Sequence, residues 1–244
     1  YTLALGIEEL REAIASHYRD RYGIDIPAAR IVVTTGASGA FMLAFLAAFD
    51  AGDRVALALP GYPGYRHILT ALGTQAVTIQ TGAESRYQPS VALLEQLDQP
   101  IQGLIVASPS NPAGTMIPNR EFAELVDYCE RHDIRLVSDE IYHGITYGET
   151  AATAAAFSDR AIVINSFSKY FSMTGWRLGW MVAPEDLLRS IESLAQNLFI
   201  SPPTLSQRAA IAAFDCHAEL QANIERYAAN RALLLEELPK AGFN

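Results

Sequence analysis

Two hydrophobic patterns alternate along the chain. In segments such as residues 7–18, apolar side chains recur at helical spacing, with Ile7, Leu10, Ile14 and Tyr18 on one face. Between these segments lie short runs of aliphatic and β-branched residues without polar alternation, which are typical of strands buried on both faces. The pattern predicts strands at 31–34, 54–59, 75–79, 103–107, 134–138, 161–165 and 178–182.

The order of these elements indicates the fold class. Helices are predicted at about 41–49, 64–72, 90–98 and 121–131, and from 185 onward with a break at 201–203. Short buried strands joined by helices predict an α/β protein with three α/β/α layers and a mainly parallel sheet. A last long helix, 216–239, carries interleaved acidic and basic residues and ends at a Pro-Lys-Ala-Gly stop.

Composition and charge exclude several classes of protein. Half of the 244 residues are hydrophobic and 18% are charged, so the chain can bury a large core. The net charge of −9 argues against nucleic acid or an anionic membrane as the main partner, and no apolar run is long enough to span a bilayer. Cys129 and Cys216 and the five histidines lack metal-ligand spacing, so we predict a reduced, cytoplasmic protein without a metal.

Polar or glycine-rich segments follow five of the predicted strands. Ligands of open α/β sheets bind outside the carboxyl ends of the strands, so we expect these segments to form one site. They are residues 35–39, 60–63, 108–115, 139–142 and 166–169. The last contains Lys169, and the only other lysine among the 18 basic residues is Lys240.

The residue types in these segments indicate a ligand. A helix that begins at Gly36-Ala37-Ser38 offers free N–H groups to a phosphate, and Ser166 and Arg177 could add a hydroxyl and a guanidinium. The remaining groups are a flat aromatic face, a carboxylate, two neutral hydrogen-bond donors and an amine, supplied by Tyr62, Asp139, Asn111, Tyr142 and Lys169. These protein groups match a ligand that has a phosphate, a planar ring, a ring nitrogen, a ring oxygen and an aldehyde. Pyridoxal phosphate has all five.

Four blocks in this order carry a resemblance to a known family: residues 35–38, 110–115, 138–142 and 166–179. They resemble the class I/II aminotransferases, the fold-type I pyridoxal-phosphate enzymes related to aspartate aminotransferase. The resemblance covers the whole chain. It implies a large cofactor-binding domain at 1–215 and a long interdomain helix at 216–244, leading to a C-terminal small domain that is largely missing. It also implies a homodimer and transfer of an amino group from an L-amino acid to a 2-oxo acid by a ping-pong mechanism.

The resemblance also implies a role for each matching residue. Lys169 would form the Schiff base and move the substrate's proton, Asp139 would keep the ring nitrogen protonated, and Tyr142 with Asn111 would bind the ring oxygen. Tyr62 would stack on the ring. The phosphate would be held by Ala37, Ser38, Ser166 and Arg177, and by Tyr1 from the neighbouring subunit.

Two alternatives stay open at this point. One keeps the cofactor and the fold but changes the reaction to that of a C–S/β-lyase or a decarboxylase. The other is a non-enzymatic, ligand-sensing domain of an aminotransferase-like transcriptional regulator. The sequence does not indicate which amino acid and 2-oxo acid react, and the arginine that binds the substrate carboxylate is expected beyond residue 244.

Overall fold

A computed structural model describes residues 1–243. In it the chain forms a seven-stranded mixed sheet with helices on both faces. The strands are β1 (Ile31–Thr34), β2 (Arg54–Leu59), β3 (Gln75–Gln80), β4 (Gly103–Ala107), β5 (Arg135–Asp139), β6 (Ile162–Ser166) and β7 (Gly179–Val182). The helices are α1 (Glu8–Tyr22), α2 (Gly36–Ala48), α3 (Pro63–Ala71), α4 (Val91–Leu94), α5 (Asn119–Arg131), α6 (Glu185–Leu198), α7 (Thr204–Ala213) and α8 (His217–Lys240). The predicted α/β fold is confirmed.

The strand order places the carboxyl ends of six strands at one edge of the sheet. The order is β1-β7-β6-β5-β4-β2-β3, and all neighbouring pairs from β6 to β3 are parallel. Only β7 runs the other way, antiparallel to both β6 and β1. Since β7 begins where the other strands end, Arg177, two residues before its first residue, reaches the same edge as the strand-end segments.

The burial of the strands explains their uninterrupted hydrophobic pattern. Consecutive residues of β1, Val32 and Val33, belong to two separate hydrophobic clusters on opposite faces of the sheet. One cluster contains buried residues of α1, α5 and α7 around Trp180; the other contains those of α2, α3 and α6 around Met181. The sheet therefore forms the middle of three layers.

One predicted helix is much shorter than the sequence pattern indicates. The segment 90–98 forms only the single turn α4, Val91–Leu94. Beyond it, the chain is held against β2, where Arg54 donates hydrogen bonds to Asp98 (3.2 Å) and to the carbonyl of Pro100 (3.2 Å). Tertiary contacts to a neighbouring strand here override the local helical pattern.

The long helix α8 is buried only near its start. Leu220 and Ile224 are buried, whereas Leu233, Leu234 and Leu235 are more than half exposed. The predicted interdomain segment 216–244 ends on Asn244, which lies outside the described residues. Within residues 1–243, no helix combines the length and the apolar character that crossing a membrane requires.

Candidate functional site

A cavity at the carboxyl edge of the sheet brings together eight of the ten predicted site residues. Its volume is about 180 Å³, and an apolar cavity of roughly 150 Å³ is already large enough to bind benzene. It therefore has room for one small ring. The eight residues are Ala37, Ser38, Tyr62, Asn111, Asp139, Tyr142, Lys169 and Arg177.

One end of the cavity is built to receive an anion. It is formed by the guanidinium of Arg177 and by the first turn of α2, whose N-cap residue Thr35 makes no side-chain cap within the described chain. Arg177 packs so closely on Gly36 that a Cβ atom there would lie 2.6 Å from Nη2. Gly179 lets α2 approach the sheet, because its Cβ would lie 3.0 Å from the backbone nitrogen of Ala37. Helix N–H groups and a guanidinium together favour a phosphate.

Asp139, the last residue of β5, also lines the cavity. One carboxylate oxygen accepts a hydrogen bond from the Tyr65 hydroxyl, and the other accepts one from the backbone N–H of Ile141 at 3.0 Å. Burial raises the pKa of Asp139 to about 6, although these hydrogen bonds and the charge of Lys169 act in the opposite direction. A buried carboxylate in this position is suited to a cationic or N–H-bearing partner in the cavity.

Lys169 and the two neutral donors, Asn111 and Tyr142, line the same cavity. Nζ of Lys169 lies 5.5 Å from the centre of the Tyr142 ring, within range of a cation–π contact. Asn111 lies in the turn after β4 and also lines the cavity. Tyr62, 40% exposed, packs edge-on against Tyr65 with ring centres 5.3 Å apart. The amine therefore faces a space walled by an aromatic ring and hydrogen-bonding groups.

Two predicted site residues do not line the cavity. Ser166 is buried, and its hydroxyl donates to the carbonyl of Leu178 (3.2 Å) and accepts from the N–H of Ser168 (3.1 Å). Ser168 is the hydroxyl residue of this segment that lines the cavity. Tyr1 is fully exposed and outside the cavity, and its predicted contact with a neighbouring subunit stays a prediction.

Three polar residues that were not predicted as site residues also line the cavity: Tyr65, Ser168 and Thr174. A signal for Ser168 was present, since it precedes Lys169 in the same strand-end segment. Tyr65 has a weaker one: it lies in the first turn of α3, three residues after the predicted site residue Tyr62, which is the N-cap residue of that helix.

Glu140, next to Asp139, is a second buried carboxyl group. Its Oε1 accepts hydrogen bonds from the Ser138 hydroxyl (3.1 Å) and the Ala154 N–H (2.8 Å), whereas Oε2 is buried without a hydrogen-bond partner among residues 1–243. Burial raises the pKa of Glu140 to about 8. A neutral Glu140 leaves Asp139 as the ionised member of the pair near neutral pH.

This raised pKa predicts a pH-dependent loss of stability that Glu140→Gln should remove. The unfolded chain releases the Glu140 proton near its ordinary pKa of 4.5, whereas the folded protein keeps it until about pH 8. Stability therefore falls as pH rises through this window. We expect the wild type to lose more unfolding free energy than the variant between pH 5 and pH 8 in urea titrations, by more than about 1 kcal/mol. Equal losses would show that Glu140 ionises normally.

Comparisons with known proteins agree with this geometry. The family model "Aminotransferase class I and II" matches residues 1–244. The chain is 51% identical to the valine–pyruvate aminotransferase of Mycobacterium tuberculosis and 30% identical to the aspartate aminotransferase of Sulfolobus acidocaldarius, over 100% and 98% of its length. It spans 64% and 62% of those two proteins.

Solved structures show the same fold. The crystal structure of an aminotransferase from Mycobacterium tuberculosis superimposes with a TM-score of 0.97 at 51% identity, over 99% of this chain and 64% of that one. The aromatic aminotransferase from Pyrococcus horikoshii superimposes with a TM-score of 0.94 at 29% identity, over 99% of this chain and 67% of that one.

Proposed function

Since the chain belongs to the class I and II aminotransferase family, we propose that this protein transfers an amino group from an L-amino acid to a 2-oxo acid with pyridoxal phosphate as cofactor. One observation carries the proposal: Lys169 and Asp139 line the same cavity as Arg177 and the first turn of α2. The named relatives are aminotransferases. They do not favour the lyase, the decarboxylase or the regulator.

The residues present fit pyridoxal phosphate. The uncapped first turn of α2 and Arg177 match its phosphate, and the buried Asp139 matches a protonated ring nitrogen. Asn111 and Tyr142 can donate to the ring oxygen, and Tyr62 offers a flat face. When bound, this cofactor supplies an electron sink that stabilises negative charge at the substrate's Cα.

Residues of this chain would then bind and orient the cofactor and transfer the substrate's proton. Arg177 and the N–H groups of Ala37 and Ser38 hold the phosphate and orient the ring. Asp139 keeps a proton on the ring nitrogen by its negative charge, and Tyr65 keeps that carboxylate in place. Lys169 is the base that removes the proton from the substrate's Cα and returns it, which makes it the central catalytic residue.

The substrate of one relative suggests where to begin a search for the donor and the acceptor. The 51% identical relative is named for valine and pyruvate, so we propose an aliphatic amino acid as donor and pyruvate as acceptor. A panel of L-amino acids with pyruvate or 2-oxoglutarate, assayed on the full-length protein, tests both the reaction and the substrate. Formation of alanine from valine and pyruvate is the expected result. Ammonia release without an acceptor would instead support a lyase.

We also propose the domain organisation and assembly that the sequence predicts. The division into a cofactor domain at 1–215 and an interdomain helix at 216–244 is supported by α8, whose exposed leucines suit packing against a further part of the protein. The exposed Tyr1 suits a homodimer in which it reaches the partner's phosphate site. Light scattering of the full-length protein tests the dimer. The cytoplasmic location stays a prediction.

Gly36→Ala should weaken cofactor binding. The new Cβ would meet the Arg177 guanidinium at 2.6 Å and move it from the anion site, so we expect the dissociation constant of pyridoxal phosphate to rise at least about tenfold. Gly23→Ala is the matched control. Gly23 has a similar φ of +70°, but a methyl group there would meet no described atom within 4 Å beyond its own chain neighbours. Both variants carry the backbone strain, about 1–2 kcal/mol, and only Gly36→Ala should change affinity in a fluorescence titration. Equal affinities would contradict this role of Gly36.

A further inference from the structure

One buried side chain, His143, joins the two turns that carry Asn111 and Tyr142. It directly follows Tyr142, and its Nε2 lies 2.9 Å from the carbonyl oxygen of Ser108, the residue that begins the turn leading to Asn111. Ser108 is further fixed by its hydroxyl, which accepts the Ile117 N–H at 2.9 Å. The two proposed donors to the ring oxygen are thus connected behind the cavity through one imidazole.

The hydrogen bonds define the protonation state of this imidazole. A carbonyl oxygen can only accept, so Nε2 of His143 carries the proton and donates to Ser108. Nδ1 is then the acceptor, and the hydroxyl of Tyr22 donates to it at 2.7 Å. Burial lowers the pKa of His143 to about 3, in agreement with a neutral ring. Tyr22 on α1 therefore fixes the tautomer that holds Ser108.

The surroundings of His143 are polar but hold it in a single orientation. Glu140 Oε2 lies 3.4 Å from Nδ1, and the side chain of His143 is 2% exposed. The backbone N–H of His143 donates to the carbonyl of Glu140 at 2.9 Å, which closes the turn that contains Tyr142. A ring held by Tyr22 on one side and by Ser108 on the other has little freedom to rotate.

We propose that His143 is a positioning residue that sets the separation of Asn111 and Tyr142, and so the strength of their hydrogen bonds to the ring oxygen of the cofactor. This inference rests on the proposed function. The role needs both ends of the imidazole: Nε2–H to hold Ser108, and Nδ1 to be held by Tyr22. Without it, the two turns stay joined where the Ser108 N–H donates to the Asp139 carbonyl at 3.4 Å, but the side-chain contact that fixes their spacing beyond that point is lost.

The test compares His143→Leu with His143→Gln in the full-length protein. Leucine removes both hydrogen bonds, and we expect the dissociation constant of pyridoxal phosphate to rise about tenfold, the effect of losing a hydrogen bond or two at the ring. The absorbance of the bound cofactor should change at a higher pH than in the wild type, since donors that stabilise a negative ring oxygen are weakened. Glutamine keeps an N–H for Ser108 and should restore most of both properties.

Tyr18→Phe is the matched control. Tyr18 lies one turn before Tyr22 on α1, is fully buried, and accepts a hydrogen bond from Nε1 of Trp180 at 3.2 Å. Loss of the Tyr18 hydroxyl should lower thermal stability but leave the affinity for pyridoxal phosphate and the absorbance titration of the bound cofactor unchanged. If His143→Leu does not fold, Tyr22→Phe should give a smaller shift in the same direction.

Two results would overturn the inference. A folded His143→Leu with wild-type affinity and absorbance titration would show that the contact does not position the donors. Equal shifts in Tyr18→Phe would show that any buried hydrogen bond of α1 has the same effect. Wild-type protein that binds no pyridoxal phosphate is a different outcome, because it overturns the proposed function itself.

Discussion

Lys169→Ala is expected to reduce transamination by at least about 10⁴-fold, the upper range for losing a positioned general base. The other cavity residues cannot replace the amine, because their polar groups are neutral donors, a carboxylate and a guanidinium. Borohydride reduction of the wild type with pyridoxal phosphate, followed by peptide mapping, should label Lys169. Initial rates with valine and pyruvate, together with the label, test the prediction.

Lys240→Ala supplies the matched control for Lys169. Lys240 is the only other lysine, and it is exposed on α8, where it pairs with Glu236 (3.0 Å) and Glu237 (2.7 Å). Its removal should leave both the rate and the label unchanged. A label on Lys240, or turnover retained by Lys169→Ala, would remove Lys169 from the mechanism.

Asp139→Asn is expected to lower turnover by roughly 10²- to 10³-fold while the cofactor stays bound. Asparagine keeps the size of the side chain but loses the negative charge that holds a proton on the ring nitrogen. Breaking a buried charge pair by neutralising one partner costs about 3–5 kcal/mol. The anion site at α2 and Arg177 is unchanged, so cofactor affinity should fall less than turnover. Single-turnover rates and a cofactor titration measure the two effects separately.

An exposed aspartate serves as control for Asp139→Asn. Asp133 is exposed and pairs with Arg160 on the surface, so Asp133→Asn removes the same charge far from the cavity. We expect wild-type turnover in that variant. Wild-type turnover in Asp139→Asn would show that its charge is not used in the reaction.

Much of this site could be predicted because strand ends are visible in sequence. The buried runs before Asp139 and Lys169 end abruptly in polar residues, and parallel strands place such ends at one edge. Tyr65 could not be predicted in the same way. Its hydrogen bond to Asp139 depends on where β2 stands in the sheet relative to β5, and the hydrophobic pattern does not encode that order.

The roles of Ser166 and His143 show a similar limit at the level of single side chains. The sequence places Ser166 at a strand end, but which of Ser166 and Ser168 faces the cavity is decided by the backbone path after β6. For His143, the sequence alone favours a packing or surface role, and only its position next to Tyr142 points toward the site. Its contact with Ser108 joins residues 35 positions apart, which spacing alone does not reveal.

The reversed direction of β7 has a mechanical consequence. β6 and β7 are adjacent and antiparallel, with Ser166 opposite Gly179, so the segment between them leaves the sheet and returns to it at neighbouring positions. Lys169 and Arg177 both lie in this segment, and both of its ends are held by the pairing of β6 with β7. The amine of Lys169 and the guanidinium of Arg177 thus belong to one segment of the chain. The positions of the amine and the guanidinium therefore both depend on the pairing of these two strands.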